Sequence, residues 1–149
     1  MQTTTTQTIR AAVIDAVRAI TPRHEYLRET CPWVYLRPEE FGAGAQCRRY
    51  TLEESVARPV WGQYSNGELY EYRLELRAAY VAVPLSVLAD VLTLDGVDLR
   101  EAIDNLRDPT VPGLSDVTYV GAEPGRVDSD GAEVVHMFTI QYLQETGLH

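Results

Sequence analysis

An α+β fold is what this 149-residue sequence predicts, and three observations carry it. Apolar residues recur at helical spacing near the N-terminus, alternate with period two through the centre, and return to helical spacing before two closing strand-like runs. The resulting order, α-β-β-β-α-β-β, suits a mixed or antiparallel sheet of about four to five strands with two main helices on one face. The composition, 45% hydrophobic and 23% charged, excludes whole-chain disorder, and the length suits one domain over residues 1–149.

The first helix is expected over 6–20. Ile9, Ala12, Val13, Ala16, Val17 and Ile20 form one apolar stripe, Thr4 and Gln7 stand at capping-box spacing, and Pro22 closes the helix. Residues 21–46 then read as an irregular arm. Pro22, Pro32 and Pro38 interrupt it, and Gly42 and Gly44 loosen its end. Inside it, Trp33-Val34-Tyr35-Leu36 is a short apolar run, either an edge strand or a packed loop. Long irregular stretches in small domains are often functional, so Trp33 and Tyr35 are the candidate partner-binding arm.

From Cys47 the period is two. Tyr50, Leu52 and Val56 share one face, opposed by Arg49, Thr51, Glu53 and Ser55. Pro59 breaks or edges this strand. Val60–Tyr64 follows, and Asn66-Gly67 marks a hairpin turn, whose central residues need positive φ. On the returning strand Tyr70, Tyr72, Leu74, Leu76 and Tyr80 point one way, and Glu71, Arg73, Glu75 and Arg77 the other. Pro84 ends it. A helical region in two pieces comes next: Leu85, Leu88, Ala89 and Leu92, then, beyond Asp95-Gly96, Leu99, Ala102, Ile103 and Leu106. Asp98 and Glu101 stand at capping-box spacing for the second piece. Asp116–Ala122 and Glu133–Leu143 are the last strands, separated by Pro124, Gly125 and the turn Asp128-Ser129-Asp130-Gly131.

Charge narrows the function classes. Twenty-two acids oppose thirteen bases, a net of −9, and all thirteen bases are arginine. Such a surface repels phosphate and disfavours sequence-independent nucleic-acid binding. No apolar run approaches the roughly 18 to 20 residues of a membrane span, and Met1–Thr8 lacks the character of a signal peptide. Cys31 and Cys47 are therefore expected as reduced thiols.

No CxxC, HExxH, GxGxxG or P-loop occurs, so neither metal nor cofactor is expected. Asp128 and Asp130 before Gly131 resemble the start of a calcium loop, but the closing glutamate is missing. His136 lies on the Val134-Phe138-Ile140-Tyr142 face and reads as a core residue. The alternative, a small soluble enzyme or ligand-binding protein with a pocket near Cys47 and His136, requires those two to meet in space. The row Glu71-Arg73-Glu75-Arg77 is the candidate subunit interface. Arginine forks pair carboxylates in two-point fashion, and nine tyrosines against two phenylalanines suit a contact surface.

The order of elements, with Val97-Asp98-Leu99-Arg100-Glu101-Ala102-Ile103, Ser115-Asp116-Val117-Thr118-Tyr119 and Met137-Phe138-Thr139-Ile140-Gln141-Tyr142, resembles the tail terminator (tail-completion, minor tail) proteins of tailed bacteriophages. The resemblance covers about 6–20 and 47–143. It implies a non-enzymatic virion protein forming a homo-oligomeric ring, commonly a hexamer, at the head-tail junction. Its partners would be the tail tube protein and the head-tail connector, with DNA passing the lumen unread. Assembly would take place in the host cytoplasm. Other connector or neck proteins are the nearest alternatives.

Overall fold

The computed structural model describes residues 4–21, 32–42, 47–60, 68–81, 83–128 and 131–144. The elements are α1 (Thr6–Arg18), β1 (Trp33–Tyr35), α2 (Pro38–Phe41), β2 (Arg48–Glu54), β3 (Arg58–Pro59), β4 (Glu68–Val81), α3 (Leu85–Asp104), β5 (Leu114–Asp128) and β6 (Gly131–Gln144). The fold is α+β. Its sheet is mixed and has six strands, more than the four to five expected, in the order β1-β2-β4-β6-β5. Of the arm at 21–46, β1 joins the sheet parallel to β2, and a parallel pairing leaves no local turn signal. β3 continues the line of β2 along the same edge of β4, Arg58 facing Glu71 and Pro59 facing Tyr70. The expected strand at Val60–Tyr64 and the Asn66-Gly67 turn lie largely outside the described residues.

Helix α1 starts at Thr6, as predicted, but its cap is Thr5 rather than Thr4. Thr5 and Thr8 form the reciprocal capping box, the Thr8 hydroxyl taking the place of the glutamate or glutamine usual at the third helical position. Helix α3 is continuous through Gly96. Asp95 and Asp98 turn inward and take no capping role, so the two predicted pieces are one helix. The glycine costs about 1 kcal/mol against alanine there without ending the helix.

The long antiparallel pair β4–β6 sets the core. Tyr72, Leu74, Leu76, Ala78 and Tyr80 from β4 and Ala132, His136, Phe138, Ile140 and Tyr142 from β6 are buried. They face Ile9, Val13 and Val17 of α1 and Leu88, Val91, Leu99 and Ile103 of α3. The two long helices thus cover one face of the sheet, as its alternation predicts. On the other face, Phe41 of α2 packs against Arg49, whose guanidinium lies 5.1 Å from the ring centre and whose Nε donates to the Phe41 carbonyl at 3.0 Å. Beyond that end the second face carries Glu53, Glu71, Arg73, Glu75 and Arg77.

Val56 departs from its predicted place in the core. The β2 ladder ends at Glu54. Ser55 then bonds to Arg73 twice, its N–H to the Arg73 carbonyl at 3.0 Å and its Oγ from the Arg73 N–H at 2.8 Å. These bonds interrupt the alternation and turn Val56 outward to 86% exposure.

Candidate functional site

The four strip residues stand together as their spacing requires, on the sheet face opposite the long helices. Arg73 is exposed, while Glu71, Glu75 and Arg77 are half-buried. Glu71 accepts a bond from the Gln141 amide at 2.8 Å. Glu75 sits directly opposite Glu53 in the ladder, and Arg77 opposite Thr51. Two carboxylates facing each other across a ladder are mutually destabilising. Among the described residues none of Glu71, Arg73, Glu75 and Arg77 makes an ion pair within the chain. The Nε of Arg77 and the Oγ1 of Thr51 are buried with no hydrogen-bond partner. A buried donor left unpaired costs about 1–3 kcal/mol, so this seam has bonding capacity its own fold does not use. Two shallow grooves flank Arg73. One is lined by Glu53, Glu54, Ser55 and Glu75, the other by Val56, Arg58, Glu71 and Thr139.

Trp33 and Tyr35 lie on edge strand β1, half-buried. The Trp33 ring meets Tyr50 and Tyr80 edge-on, each at 5.8 Å, and Tyr35 meets Tyr50 at 5.5 Å. Part of each aromatic surface is thus spent on the chain's own sheet. The outer edge of β1 has no strand partner among the described residues.

Behind Trp33 lies a network the sequence did not suggest. Arg48, stacked 4.2 Å from the Trp33 ring centre, donates to Asp95 Oδ1 at 2.8 Å. The Tyr80 hydroxyl donates to Oδ2 at 2.9 Å. The Arg48 and Asp95 side chains are only 1% and 3% exposed. Burial pushes the Asp95 carboxyl above its ordinary range, against the pull of Arg48 and of the Tyr80 hydrogen bond. A pair on two distant elements has no spacing signal. The only hint was an arginine at a core-facing strand position.

The pocket expected near Cys47 and His136 involves His136 alone. A cavity of about 390 Å³ opens between α3, β5 and β6, lined by apolar Leu92, Val97, Ala122, Pro124 and Val134 together with Gly96, Arg100, Tyr119 and His136. The Tyr119 hydroxyl lies 3.2 Å from His136 Nδ1, and burial holds the imidazole pKa below its ordinary value, favouring the neutral ring. Arg100 rides over the Tyr119 ring at 4.9 Å. Cys47 is elsewhere. Its carbonyl accepts from Val81, whereas His136 faces Leu76, five positions along β4 and on the order of 16 Å away at strand rise. Cys47 is moreover disulfide-bonded, contrary to the expected thiol, so it supplies no nucleophile. Cys31 lies outside the described residues.

Among the described residues no three His, Cys, Asp or Glu side chains converge to hold a metal, and no helix is long and apolar enough to cross a membrane. No protein-family model and no curated protein matches the chain.

Proposed function

We propose that the chain is a structural, non-enzymatic assembly subunit of the tail-terminator kind, which joins copies of itself into a ring, expected to be a hexamer, at a phage head-tail junction. One observation supports this most. A row of four alternating charges lies on the sheet face away from the helices and makes no ion pair among the described residues. Arginine and glutamate so arranged fix register and partner choice more than raw affinity, because exposed pairs contribute only about 0–1 kcal/mol each. The outer edge of β1, with Trp33 and Tyr35 behind it, is the proposed contact to the axial neighbours, the tail tube and connector proteins. The net charge of −9 suits a lumen through which DNA slides without being read. Reversing Arg73 and Arg77 to Glu tests the reading. The variant is expected to keep the circular dichroism of the wild type and to lose the oligomer in light scattering at physiological salt. An oligomer of unchanged mass would reduce the strip to a solvated face.

A further inference from the structure

We infer that the cavity between α3, β5 and β6 is a binding site for a small apolar carboxylic acid, its carboxylate held by Arg100 at the rim and its apolar body enclosed below. The site lies within one chain, so the inference stands apart from the self-assembly reading above. Shape comes first. The cavity measures about 390 Å³, at the small end of the roughly 300–1,000 Å³ typical of ligand sites, which suits a molecule of roughly ten to fifteen non-hydrogen atoms. Gly96 keeps one wall open. It lies inside the continuous helix α3, and a Cβ there would meet His136 Cε1 at 3.5 Å. Any larger residue would extend into the space beside the imidazole.

The walls are mostly apolar, formed by Leu92, Val97, Ala122, Pro124 and Val134, and covering an apolar ligand body there supplies most of the affinity. One polar group is left open to it. The Tyr119 hydroxyl lies 3.2 Å from His136 Nδ1, and the other ring nitrogen, Nε2, has no hydrogen-bond partner among the described residues. His136 is only 4% exposed. Its Cε1, the carbon between the two nitrogens, is the atom that faces Gly96, so Nε2 borders the cavity. A buried polar atom without a partner is costly, and a polar group carried by the ligand would meet it. Burial keeps this ring neutral, which leaves Arg100 as the source of positive charge at the site.

That charge selects an acid. In a chain of net charge −9, the residues lining this cavity include the Arg100 guanidinium and no carboxylate. Arg100 makes no ion pair among the described residues. Asp104, one helical turn on, is bonded instead to Arg107 at 2.8 Å. The Arg100 guanidinium lies 4.9 Å from the Tyr119 ring centre. Stacking on the ring engages the guanidinium face and orients the fork, while its N–H donors stay available for two-point pairing with a carboxylate. A cationic ligand would be repelled, and a neutral one would forgo the pair. One guanidinium with no second cation balances a single negative charge, which favours a carboxylate over a phosphate.

Isothermal titration calorimetry with 4-phenylbutyrate and with octanoate is the test, beside the neutral amide and the primary amine of the same carbon skeletons. At least one acid is expected to bind once per chain with a Kd on the order of 10 μM to 1 mM. Its amide should bind at least about 10-fold more weakly, as for loss of a charge-assisted pair, and its amine more weakly still. Arg100→Gln, an exposed change expected to leave the melting temperature unaltered, should bring the acid down to the level of the amide. Gly96→Leu should abolish binding of acid and amide alike while keeping the circular dichroism of the wild type. Saturation by neither acid, equal affinity for acid and amide, or acid affinity unchanged in Arg100→Gln would overturn the inference. Arg100→Gln decides the matter even where Gly96→Leu fails to fold, and the oligomeric state enters none of these outcomes.

Discussion

Asp95→Asn removes the carboxylate that pairs with Arg48 inside the protein. The two side chains are 1% and 3% exposed and 2.8 Å apart, so water cannot replace the lost charge. Breaking a buried pair by removing one partner costs about 3–5 kcal/mol. Asparagine retains an oxygen for the Arg48 and Tyr80 donors, which places its cost at the low end; leucine retains none and belongs at the high end. At roughly 2–4 °C per kcal/mol for a chain of this size, the melting temperature should fall by about 6–20 °C. The triple variant Arg48→Met, Asp95→Leu, Tyr80→Phe removes charge and orphaned hydroxyl together, and should recover most of the loss, since apolar replacement of a whole buried pair is often neutral or better. Urea denaturation at pH 7 gives each value. A cost below about 1 kcal/mol for Asp95→Asn, or a triple variant worse than Asp95→Leu, would refute the reasoning.

Three further outcomes are expected. Leu74→Ala, at a fully buried position, should cost about 2–5 kcal/mol by transfer and cavity, and a denaturant midpoint showing less than about 1 kcal/mol would place Leu74 outside the core. Gly131→Ala should cost about 1–3 kcal/mol or more, because Gly131 has φ +155° and a Cβ there would strike the Tyr80 carbonyl oxygen; a thermal melt matching the wild type would refute this. His136, buried neutral with its pKa below the ordinary 6.5, binds its proton more readily when unfolded. Stability from this group is therefore full above that ordinary value and declines as pH falls below it. His136→Gln should flatten the urea midpoint between pH 7 and 5.5, and an unchanged slope would contradict the assignment.

What the sequence made legible was what repeats locally. The stripe through Ile9, Val13 and Val17 located α1, and the alternation from Tyr70 to Tyr80 assigned both faces of β4, hence the common face of the four strip residues. What it hid depends on pairing across distance. β1 pairs with β2 in parallel through only three residues, Asp95 finds Arg48 across 47 positions, and Gly96 reads as a break although packing of Val91 and Leu99 carries the helix through it. Val56 fits the core pattern until two hydrogen bonds between Ser55 and Arg73 shift the phase. The cavity beside His136 is built from three elements, and the histidine alone could not announce it.

The central claim, that the chain works by joining copies of itself into a closed ring, is tested most directly by sedimentation velocity on the unmodified protein across a wide concentration range at physiological salt. A single discrete oligomer, with six copies expected, that gains no mass as concentration rises is the predicted result. A monomer at every concentration, or a continuous series of ever larger species, would contradict it.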